Sequence, residues 1–477
     1  MSRFLASIVV VSAIFSPAAP ARDLPPAAIP AEVRRAAESL RERAFAGTRA
    51  AEWVRSLIDT AGPRLSGSPG DAAAISWGLA TLKTLGFVNV HAEKLMAPFW
   101  VRGEEVGEVT SPSRHELFLT ALGGSVPTSG SGLEADVVEV ASLDELGRKT
   151  ESDVRGKVVF FNGHMRRASN GAGYGEAVKV RGGGPSAAAK LGAVGVLIRS
   201  IGTDSNRTPH TGSLKYDTGV PKIPAAAVSN PDADLLDRLV RDGAPVRVRF
   251  TLGCRDGGEK ETANVIGDVP GRGKPEEIVL LACHRDSWDL GEGAIDDGAG
   301  CGIVIEAARL IAGTTPRPRR TIRVVLFANE ENGLAGGKAY PVDHASELSR
   351  HVAAIEADSG SGRPTGFKWN AGPSEEPRMA EIAALLAPLG AGALEAGGTG
   401  GADISRLVLS GVPLFSVSQD ASRYFDWHHT ANDTFDKIEP ESLDRMTAAV
   451  ATFAYVAASV PKPFERIPAE KRVLPTF

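Results

Sequence analysis

The chain has 477 residues, of which 43% are apolar and 23% are charged, the ordinary balance of a soluble globular protein. At roughly 150 residues per domain, this length predicts two or three structural units. The 53 Lys and Arg residues nearly offset the 58 Asp and Glu residues, and a net charge of -5 argues against a nucleic-acid or membrane partner, both of which need a basic surface.

The N-terminus has the features of an export signal. Arg3 precedes an apolar run over residues 4–15, and Ala19-Pro20-Ala21 has the small residues that a signal peptidase recognises. The run is about a dozen residues long, whereas a membrane-spanning helix needs roughly 18–20. We therefore predict a cleaved signal peptide over residues 1–21 and a secreted or periplasmic mature protein.

The next segment, residues 22–125, is predicted to be helical at first and to begin a catalytic domain. Charged and apolar residues interleave over 30–61 in a way that favours two amphipathic helices. Glycine and proline interrupt the pattern over 62–68, and a further helix follows that ends at Gly86.

The residue composition changes over residues 126–255. Short β-branched runs such as 157–161 alternate with glycine clusters such as 182–184. This stretch carries little catalytic chemistry, and it resembles the protease-associated domain that is inserted in several exopeptidases. We expect a β-rich insert whose two histidines, His164 and His210, are surface residues rather than ligands.

The remaining segment, residues 256–477, alternates apolar strands with helices. The strands are predicted near 278–282, 321–328, 352–355 and 413–417. This alternation predicts an α/β fold with a mostly parallel sheet that helices cover on both faces. The last helix has a single apolar stripe, which we interpret as core packing.

The three cysteines, Cys254, Cys283 and Cys301, include no CxxC pair. A thiolate zinc or redox site is therefore not expected, and any metal must bind through oxygen and nitrogen atoms. We interpret Cys283 and Cys301 as buried thiols. The sequence does not decide whether they are bonded to each other.

Acidic and histidine residues follow the predicted strands at five places. These are His284-Arg285-Asp286, Asp296-Asp297, Glu330-Glu331, Asp358 and His428-His429. Because parallel strands end at the same edge of a sheet, these side chains should lie together. Gathering so many charges at an apolar sheet is costly unless a divalent metal neutralises them.

The pattern resembles the M28 family of dinuclear zinc exopeptidases. The match comprises His284-x-Asp286, Gly293-Ala294-x-Asp296-Asp297-x-x-Gly300, Glu330-Glu331, Asp358 and His429-x-x-x-Asp433-Thr434, in that order. The resemblance implies the zinc exopeptidase fold, a peptide substrate and two Zn²⁺ ions. It makes His284 and Asp358 ligands of one zinc, Glu331 and His429 ligands of the other, and Asp296 the bridge.

The resemblance also implies the catalytic roles. Glu330 is the general base for a water held between the ions, and Asp286 orients the His284 imidazole. In this family the Asp296–Asp297 peptide is typically cis, and a homodimer is common. The expected reaction is hydrolysis of dipeptides or short peptides by an exopeptidase.

Several residues have open roles. Gly400-Gly401-Ala402-Asp403 either lines the substrate pocket or caps a helix, and Asp433 either orients His429 or caps a helix. Tyr424 either packs in its loop or donates to an oxyanion, and His428 contacts either substrate or solvent. Arg285, Arg406 and Arg423 are the cations considered for binding a substrate carboxylate, and the sequence does not decide between amino-end and carboxyl-end specificity.

Two alternatives use the same fold. A glutaminyl-cyclase-like acyltransferase has a single zinc, and a non-catalytic receptor would lack ligands or the base. The complete set of five ligands, together with Glu330, argues against both.

The signal assignment predicts that the exported protein begins at Arg22. Intact-mass measurement of the exported material checks this cleavage site. A mass that retains residues 1–21 would contradict the prediction.

Overall fold

The structure, a computed structural model, describes residues 29–475. The predicted signal peptide, residues 1–21, lies outside the described residues. Within them, none of the helices combines the length and the apolar character that crossing a bilayer requires.

The α-helices of the described chain, numbered in order, alternate with strands for most of its length. They are α1 (Ala31–Phe45), α2 (Ala50–Ala61), α3 (Pro69–Thr84), α4 (Leu143–Leu146), α5 (Glu151–Val154), α6 (Tyr174–Lys190), α7 (Asn230–Arg241), α8 (Ala299–Ala312), α9 (Ala335–Asp343), α10 (Glu376–Leu386) and α11 (Pro440–Ser459).

The strands form two sheets. They are β1 (Val88–Val101), β2 (Glu105–Ser111), β3 (His115–Leu117), β4 (Leu119–Ala121), β5 (Leu133–Val140), β6 (Val158–Phe161), β7 (Gly195–Arg199), β8 (Ala225–Val228), β9 (Arg247–Leu252), β10 (Arg255–Val269), β11 (Lys274–His284), β12 (Arg320–Phe327), β13 (His351–Glu356), β14 (Pro364–Asn370), β15 (Ala393–Ala396) and β16 (Leu414–Gln419).

The first sheet has the order β1-β10-β12-β11-β13-β16-β14-β15. Its four central strands, β12, β11, β13 and β16, run parallel, and antiparallel strands flank them on both sides. On β11, Val279 and Leu281 pack under α1, α2, α3, α8, α10 and α11, while Leu280 and Ala282 face the side of α9. The predicted α/β class, with helices on both faces of the sheet, is confirmed.

The helix boundaries follow from local chemistry. The Ser68 side chain accepts a hydrogen bond from the backbone N–H of Asp71, and Pro69 occupies the first turn of α3, a favoured place because its missing N–H is not needed there. Gly86 follows α3 with a φ of 77°, in the left-handed region that glycine adopts at little cost.

The second sheet has the order β3-β2-β9-β5-β6-β7-β8-β4 and has apolar cores of its own. The predicted boundary between residues 125 and 126 falls inside this unit, because β2, β3 and β4 pair in the second sheet. The pairing partners β2 and β9 are far apart in the chain, so no local pattern reveals it. We call residues 105–252 the second-sheet unit.

The two histidines of the second-sheet unit differ. His164 is exposed, as predicted, whereas His210 is 1% exposed, so the prediction that it is a surface residue was wrong. The His210 imidazole can be buried because both ring nitrogens have hydrogen-bond partners. These are the His428 carbonyl at 2.7 Å and the Asp204 carboxylate at 2.6 Å.

The antiparallel strands β1 and β10 connect the two units. Their pairing runs from Val88 opposite Asp268, within the first sheet, to Val101 opposite Arg255, beside the second-sheet unit. The chain therefore enters and leaves the second-sheet unit at neighbouring positions.

A cluster of polar side chains joins the end of α9 to strand β1. His344, just after α9, contacts Glu93 on β1 at 2.9 Å and Glu347 at 2.6 Å. Burial alone would lower the pKa of His344, but the hydrogen bonds to these two carboxylates raise it. Against the effect of burial, the contact with His344 lowers the pKa of Glu93, and Arg323 together with His344 lowers the pKa of Glu347.

Replacing His344 with Gln should destabilise the protein in a pH-dependent way. Because the pKa of His344 is raised on folding, its contribution is complete below about pH 6.5 and is lost as the pH rises through the raised value. The lowered pKa values of Glu93 and Glu347 keep the contribution in place down to about pH 4.5. Thermal melts should show a larger loss at pH 6 than at pH 9, with His164→Gln as the control. Equal losses at both pH values would contradict this.

Candidate metal centre

The predicted ligands meet at one edge of the first sheet. His284 ends β11, Asp296 lies in the helical turn Ala294–Gly298 before α8, and Glu331 follows β12. Asp358 follows β13, and His429 follows β16 after a loop. All four central parallel strands thus direct a polar residue to their shared carboxyl ends, where α/β sheets bind ligands.

Asp296 lies at the centre of the group and offers one oxygen to each histidine. Its Oδ1 is 3.2 Å from Nε2 of His284, and its Oδ2 is 3.3 Å from Nε2 of His429. On one side Asp358 Oδ1 lies 3.5 Å from His284 Nε2, and on the other side Glu331 Oε2 lies 3.0 Å from His429 Nε2. The structure therefore groups the five residues as two histidine–carboxylate pairs around a shared carboxylate.

The second nitrogen of each histidine ring contacts a backbone carbonyl. Nδ1 of His284 lies 3.1 Å from the Asp286 carbonyl, and Nδ1 of His429 lies 3.3 Å from the Thr211 carbonyl. A carbonyl only accepts, so each ring can donate to it from Nδ1, which leaves Nε2, the nitrogen that faces the carboxylates, free to bind a metal. This is the tautomer in which histidine binds a metal through Nε2.

The donor set fits divalent zinc. Among the described residues, Asp296 Oδ2 and Glu331 Oε1 are buried without a hydrogen-bond partner. Buried oxygens of this kind are costly unless a ligand satisfies them. Two imidazoles with three carboxylates suit zinc better than magnesium, which prefers oxygen alone.

Further buried carboxylates surround this group. Burial raises the pKa of Glu330 well above its ordinary value, and the neighbouring carboxylates of Asp358 and Glu331 contribute to the rise. Burial raises the pKa of Glu356 to about 8, with Asp358 as a second cause. Burial also raises the pKa of Asp433 to about 8. A cation bound among these carboxylates would favour their ionised forms.

Asp286 acts differently from the expectation that its carboxylate orients His284. The carboxylate lies 3.8 Å from His284 Nδ1, whereas the backbone carbonyl of Asp286 makes the contact described above. The Asp286 carboxylate instead accepts hydrogen bonds from the backbone N–H groups of Glu330, at 3.1 Å, and Glu331, at 3.4 Å. It thereby holds the turn in which Glu331 is buried and Glu330 is half-buried.

Comparisons with known proteins identify the family of this chain. The family model for peptidase family M28 matches residues 264–454. Carboxypeptidase Q of Mus musculus is 37% identical over 412 residues, which cover 86% of each chain. The chain belongs to peptidase family M28. It is a metallopeptidase of that family, with the α/β fold that its sequence predicts.

Solved structures share the fold of this chain. The crystal structure of a peptidase M28 precursor from Shewanella amazonensis is 42% identical, with a TM-score of 0.89 over 92% of this chain and 99% of that one. A zinc aminopeptidase from Bacillus subtilis, 22% identical, shares the fold with a TM-score of 0.62 over 86% of this chain and 95% of that one.

Two aspartates of the M28 pattern support the backbone of the site. Asp433 accepts hydrogen bonds from the N–H groups of Ile295, at 2.7 Å, and Asp296, at 3.2 Å, rather than orienting His429 or capping a helix. Asp297 accepts from the N–H groups of His284, at 3.2 Å, and Gly300, at 2.8 Å. The Asp296–Asp297 peptide is cis, which confirms that prediction.

Arg64 fixes the loop that leads to Asp296. Its side chain is fully buried and, besides a 3.5 Å bond to the Gly62 carbonyl, donates to three distant backbone carbonyls, those of Arg285 at 2.5 Å, Glu292 at 2.6 Å and Gly293 at 2.8 Å. Gly293 has a φ of 60°, and a Cβ there would lie 2.3 Å from the Cβ of Ser287, so glycine is required. Sequence reasoning identified residues 62–68 only as a break between helices, because the partners of Arg64 are more than 200 residues away.

His428 and Tyr424 lie within the site rather than in solvent. The His428 ring is buried and stacks on His429 with 3.6 Å between ring centroids, and its Nε2 lies 3.4 Å from Asp296 Oδ2. The Tyr424 ring is half-buried, with its centroid 5.1 Å from that of the His428 ring.

The potential ligand atoms form two close sets, in each of which they lie within 4.8 Å of one another. One set is Asp296, His428 and His429, and the other is His284, Asp297 and Asp358.

The Gly400–Asp403 segment wraps the carboxylate of Glu356. That carboxylate accepts hydrogen bonds from the N–H groups of Ala402 and Ile404, both at 2.9 Å. A Cβ on Gly401 would lie 2.3 Å from Glu356 Cδ, so the close approach requires glycine there. Asp403 is buried, and neither carboxylate oxygen has a hydrogen-bond partner in the described chain.

A cavity of about 230 Å³ lies beside the metal centre. Its walls include Ile295, which precedes Asp296, together with Tyr424 and Trp427 of the loop that carries His429. Of the three arginines considered from the sequence, Arg423 lines this cavity. Arg285 is fully buried in an ion pair with Asp71, and Arg406 is not among the lining residues.

The cavity has further charged residues that sequence reasoning missed, Arg363 and Lys437. Within the described chain, neither Arg363 nor Arg423 makes an ion pair, although Arg423 lies over the Trp427 ring at 4.7 Å. Arg363 follows the predicted ligand Asp358 by five residues. This short separation in the sequence was the signal that could have identified it as a site residue.

Cys283 and Cys301 are buried, as the sequence predicts, and both are free thiols. Their Sγ atoms are 3.1 Å apart, between β11 and α8. Burial raises the pKa of Cys283 well above its ordinary value, with the neighbouring Cys301 as a further cause.

Proposed function

We propose that this peptidase is a zinc-dependent exopeptidase that hydrolyses dipeptides and short peptides. The observation that carries the proposal is the position of Asp296, whose two oxygens face the Nε2 atoms of two histidines. Two zinc ions fit this arrangement, one held by His284 and Asp358, the other by Glu331 and His429, with Asp296 shared. When bound, zinc polarises the scissile carbonyl and a water molecule.

Glu330 moves the proton in this mechanism. Its carboxylate accepts a proton from the attacking water and returns it to the nitrogen of the leaving amine. Asp286 positions this group, because it binds the N–H groups of both Glu330 and Glu331. The Glu330 carboxylate can then act as the base while the neighbouring Glu331 carboxylate binds a metal ion.

We propose that the substrate is bound by its carboxyl end. The cavity beside the metal centre presents Arg363 and Arg423, whose guanidinium groups have no carboxylate partner among the described residues. Its acidic residues are engaged, since Asp420 accepts from the Ser422 N–H at 3.0 Å and Glu439 accepts from the Ser442 hydroxyl at 3.3 Å. The name of the relatives, carboxypeptidase Q, agrees with this polarity.

No observation favours a glutaminyl-cyclase-like acyltransferase or a non-catalytic receptor. All five ligand positions and Glu330 are present in this chain. Secretion stays a prediction from the N-terminal sequence, and a protease-associated-like insert and a homodimer stay predictions from the family resemblance.

Glu330→Gln and Glu331→Gln should separate base from ligand. Glu330→Gln keeps the shape but cannot accept the proton, so turnover should fall by about 10²–10⁴-fold while two zinc ions per chain are retained. Glu331→Gln replaces an anionic ligand with a neutral amide and should lower both zinc content and turnover. Asp296→Asn should lower zinc content most, because both pairs share that carboxylate.

Elemental analysis and dipeptide hydrolysis are measured on the same preparations. One zinc or none in active wild-type protein would refute the dinuclear site. Near-normal turnover of Glu330→Gln would refute the general base.

Specificity for the carboxyl end predicts a difference between free and amidated dipeptides. Arg423→Gln and Arg363→Gln should each raise KM for the free dipeptide by about 10-fold, the loss expected for one charge-assisted hydrogen bond, with little change for the amidated one. Arg406→Gln, outside the cavity, is the control. Equal hydrolysis of both substrates by the wild type would refute carboxyl-end binding without affecting the metal assignment.

A further inference from the structure

The second-sheet unit lies against the loop that carries His429. Thr203 donates from its backbone N–H to the Phe425 carbonyl at 3.0 Å and from its hydroxyl to the Asp426 carboxylate at 2.8 Å. Arg167 contacts the same carboxylate at 2.6 Å. These contacts continue along the loop as far as His429.

Two consecutive residues, His210 and Thr211, hold the peptide planes on both sides of His429. His210 Nδ1 donates to the His428 carbonyl at 2.7 Å, and the Thr211 N–H donates to the His429 carbonyl at 2.9 Å. The first carbonyl belongs to the peptide before the His429 Cα and the second to the peptide after it. The two bonds therefore set φ and ψ of His429.

The conformation that they set is an unusual one. His429 has a φ of 62°, in the left-handed region that residues with a Cβ rarely adopt. A residue with a Cβ keeps this unfavourable backbone conformation only when surrounding contacts hold it there. Here the holding bonds come from another unit of the protein.

Thr211 also fixes the His429 ring. Its carbonyl accepts from Nδ1 of His429 at 3.3 Å, which directs Nε2 toward Asp296 and Glu331. Arg181, which is buried on α6, places one guanidinium nitrogen 3.4 Å from this carbonyl and 3.4 Å from Nδ1 of His429. Backbone and ring of His429 are thus both oriented by residues of the second-sheet unit.

His210 is itself held in place. Its Nε2 lies 2.6 Å from the Asp204 carboxylate, and its backbone N–H donates to the Ser200 hydroxyl at 2.9 Å. A Cβ on Gly202 would lie 2.2 Å from the His210 ring, so only glycine leaves space for it.

We infer that the second-sheet unit is a working part of the metal centre, in which His210 and Thr211 are positioning residues for His429. The inference rests on the proposed function in one respect, that His429 is a zinc ligand. Its consequence is that affinity for one of the two zinc ions depends on a hydrogen bond donated from His210 to the backbone of the other unit.

Two amide substitutions at His210 test this hydrogen bond. The side-chain nitrogen of Asn overlies Nδ1, so His210→Asn keeps the donor to the His428 carbonyl. The side-chain nitrogen of Gln overlies Nε2, so His210→Gln keeps only the donor to Asp204. Both variants remove the imidazole, so a general effect of losing the ring is common to them.

Zinc affinity is measured by titration against a chromophoric chelator. His210→Gln should weaken one zinc equivalent by about 10- to 100-fold and leave the other unchanged, whereas His210→Asn should stay within about threefold of wild type. Gly202→Ala, which displaces the His210 ring, should reproduce the loss, and His164→Gln is the control in the same unit. Equal weakening of both equivalents, or equal losses in the Asn and Gln variants, would overturn the inference.

Hydrogen exchange of the metal-free protein provides a readout that does not depend on zinc. Peptides covering residues 425–430 should exchange faster in His210→Gln than in wild type or His210→Asn. Unchanged exchange would refute the positioning role even if zinc binds. If the wild type binds no zinc, the proposed function fails, and the exchange result still decides whether His210 holds the loop.

Discussion

The carboxylate of Asp296 contacts two imidazoles at once, and this double contact can form only if several chain segments are held rigidly. The two histidines come from strand ends on either side of β13 in the sheet, while Asp296 comes from a turn with little regular hydrogen bonding of its own. That turn is therefore supported from outside, by Asp433 on the N–H side and by Arg64 on the preceding carbonyls. Both supports act on the backbone from which the shared carboxylate extends.

Two supports of the site, Arg64 and Arg285, are arginines, and both are fully buried. Arg64 is surrounded by carbonyl oxygens, and Arg285 is paired with Asp71 on α3. A buried charge is costly unless it is completely satisfied, and breaking such a set costs far more than it contributes when intact. This explains why the N-terminal helices, distant in sequence from the ligands, are inseparable from the site.

The sequence could predict what each strand contributes by itself. An apolar strand followed by an acidic or histidine residue is a local pattern, and the sheet brings five such residues together, His284, Asp296, Glu331, Asp358 and His429. Long-range hydrogen bonds escaped prediction. The actual partners of the Asp286 and Asp433 carboxylates are backbone N–H groups of distant segments, and no spacing in the sequence reveals them.

The same reason explains the errors in the second-sheet unit. Its first strands pair with β8 and β9, over 100 residues later, so the boundary at 125 and 126 could not be seen locally. His210 looked like an ordinary loop histidine because its partner, the His428 carbonyl, is 218 residues away. Arg363 and Lys437 come from separate loops and share a cavity only in the folded chain.

The junction between β1 and β10 has a consequence for how the chain folds. Val101 and Arg255 face each other with about 150 residues between them, and closing a flexible loop of that length costs roughly 4 kcal/mol of chain entropy. If residues 105–252 collapse first, their ends are already adjacent and most of that cost has been met. The central strands of the first sheet can then assemble around a preformed connection, and the order of events favours a metal centre completed last.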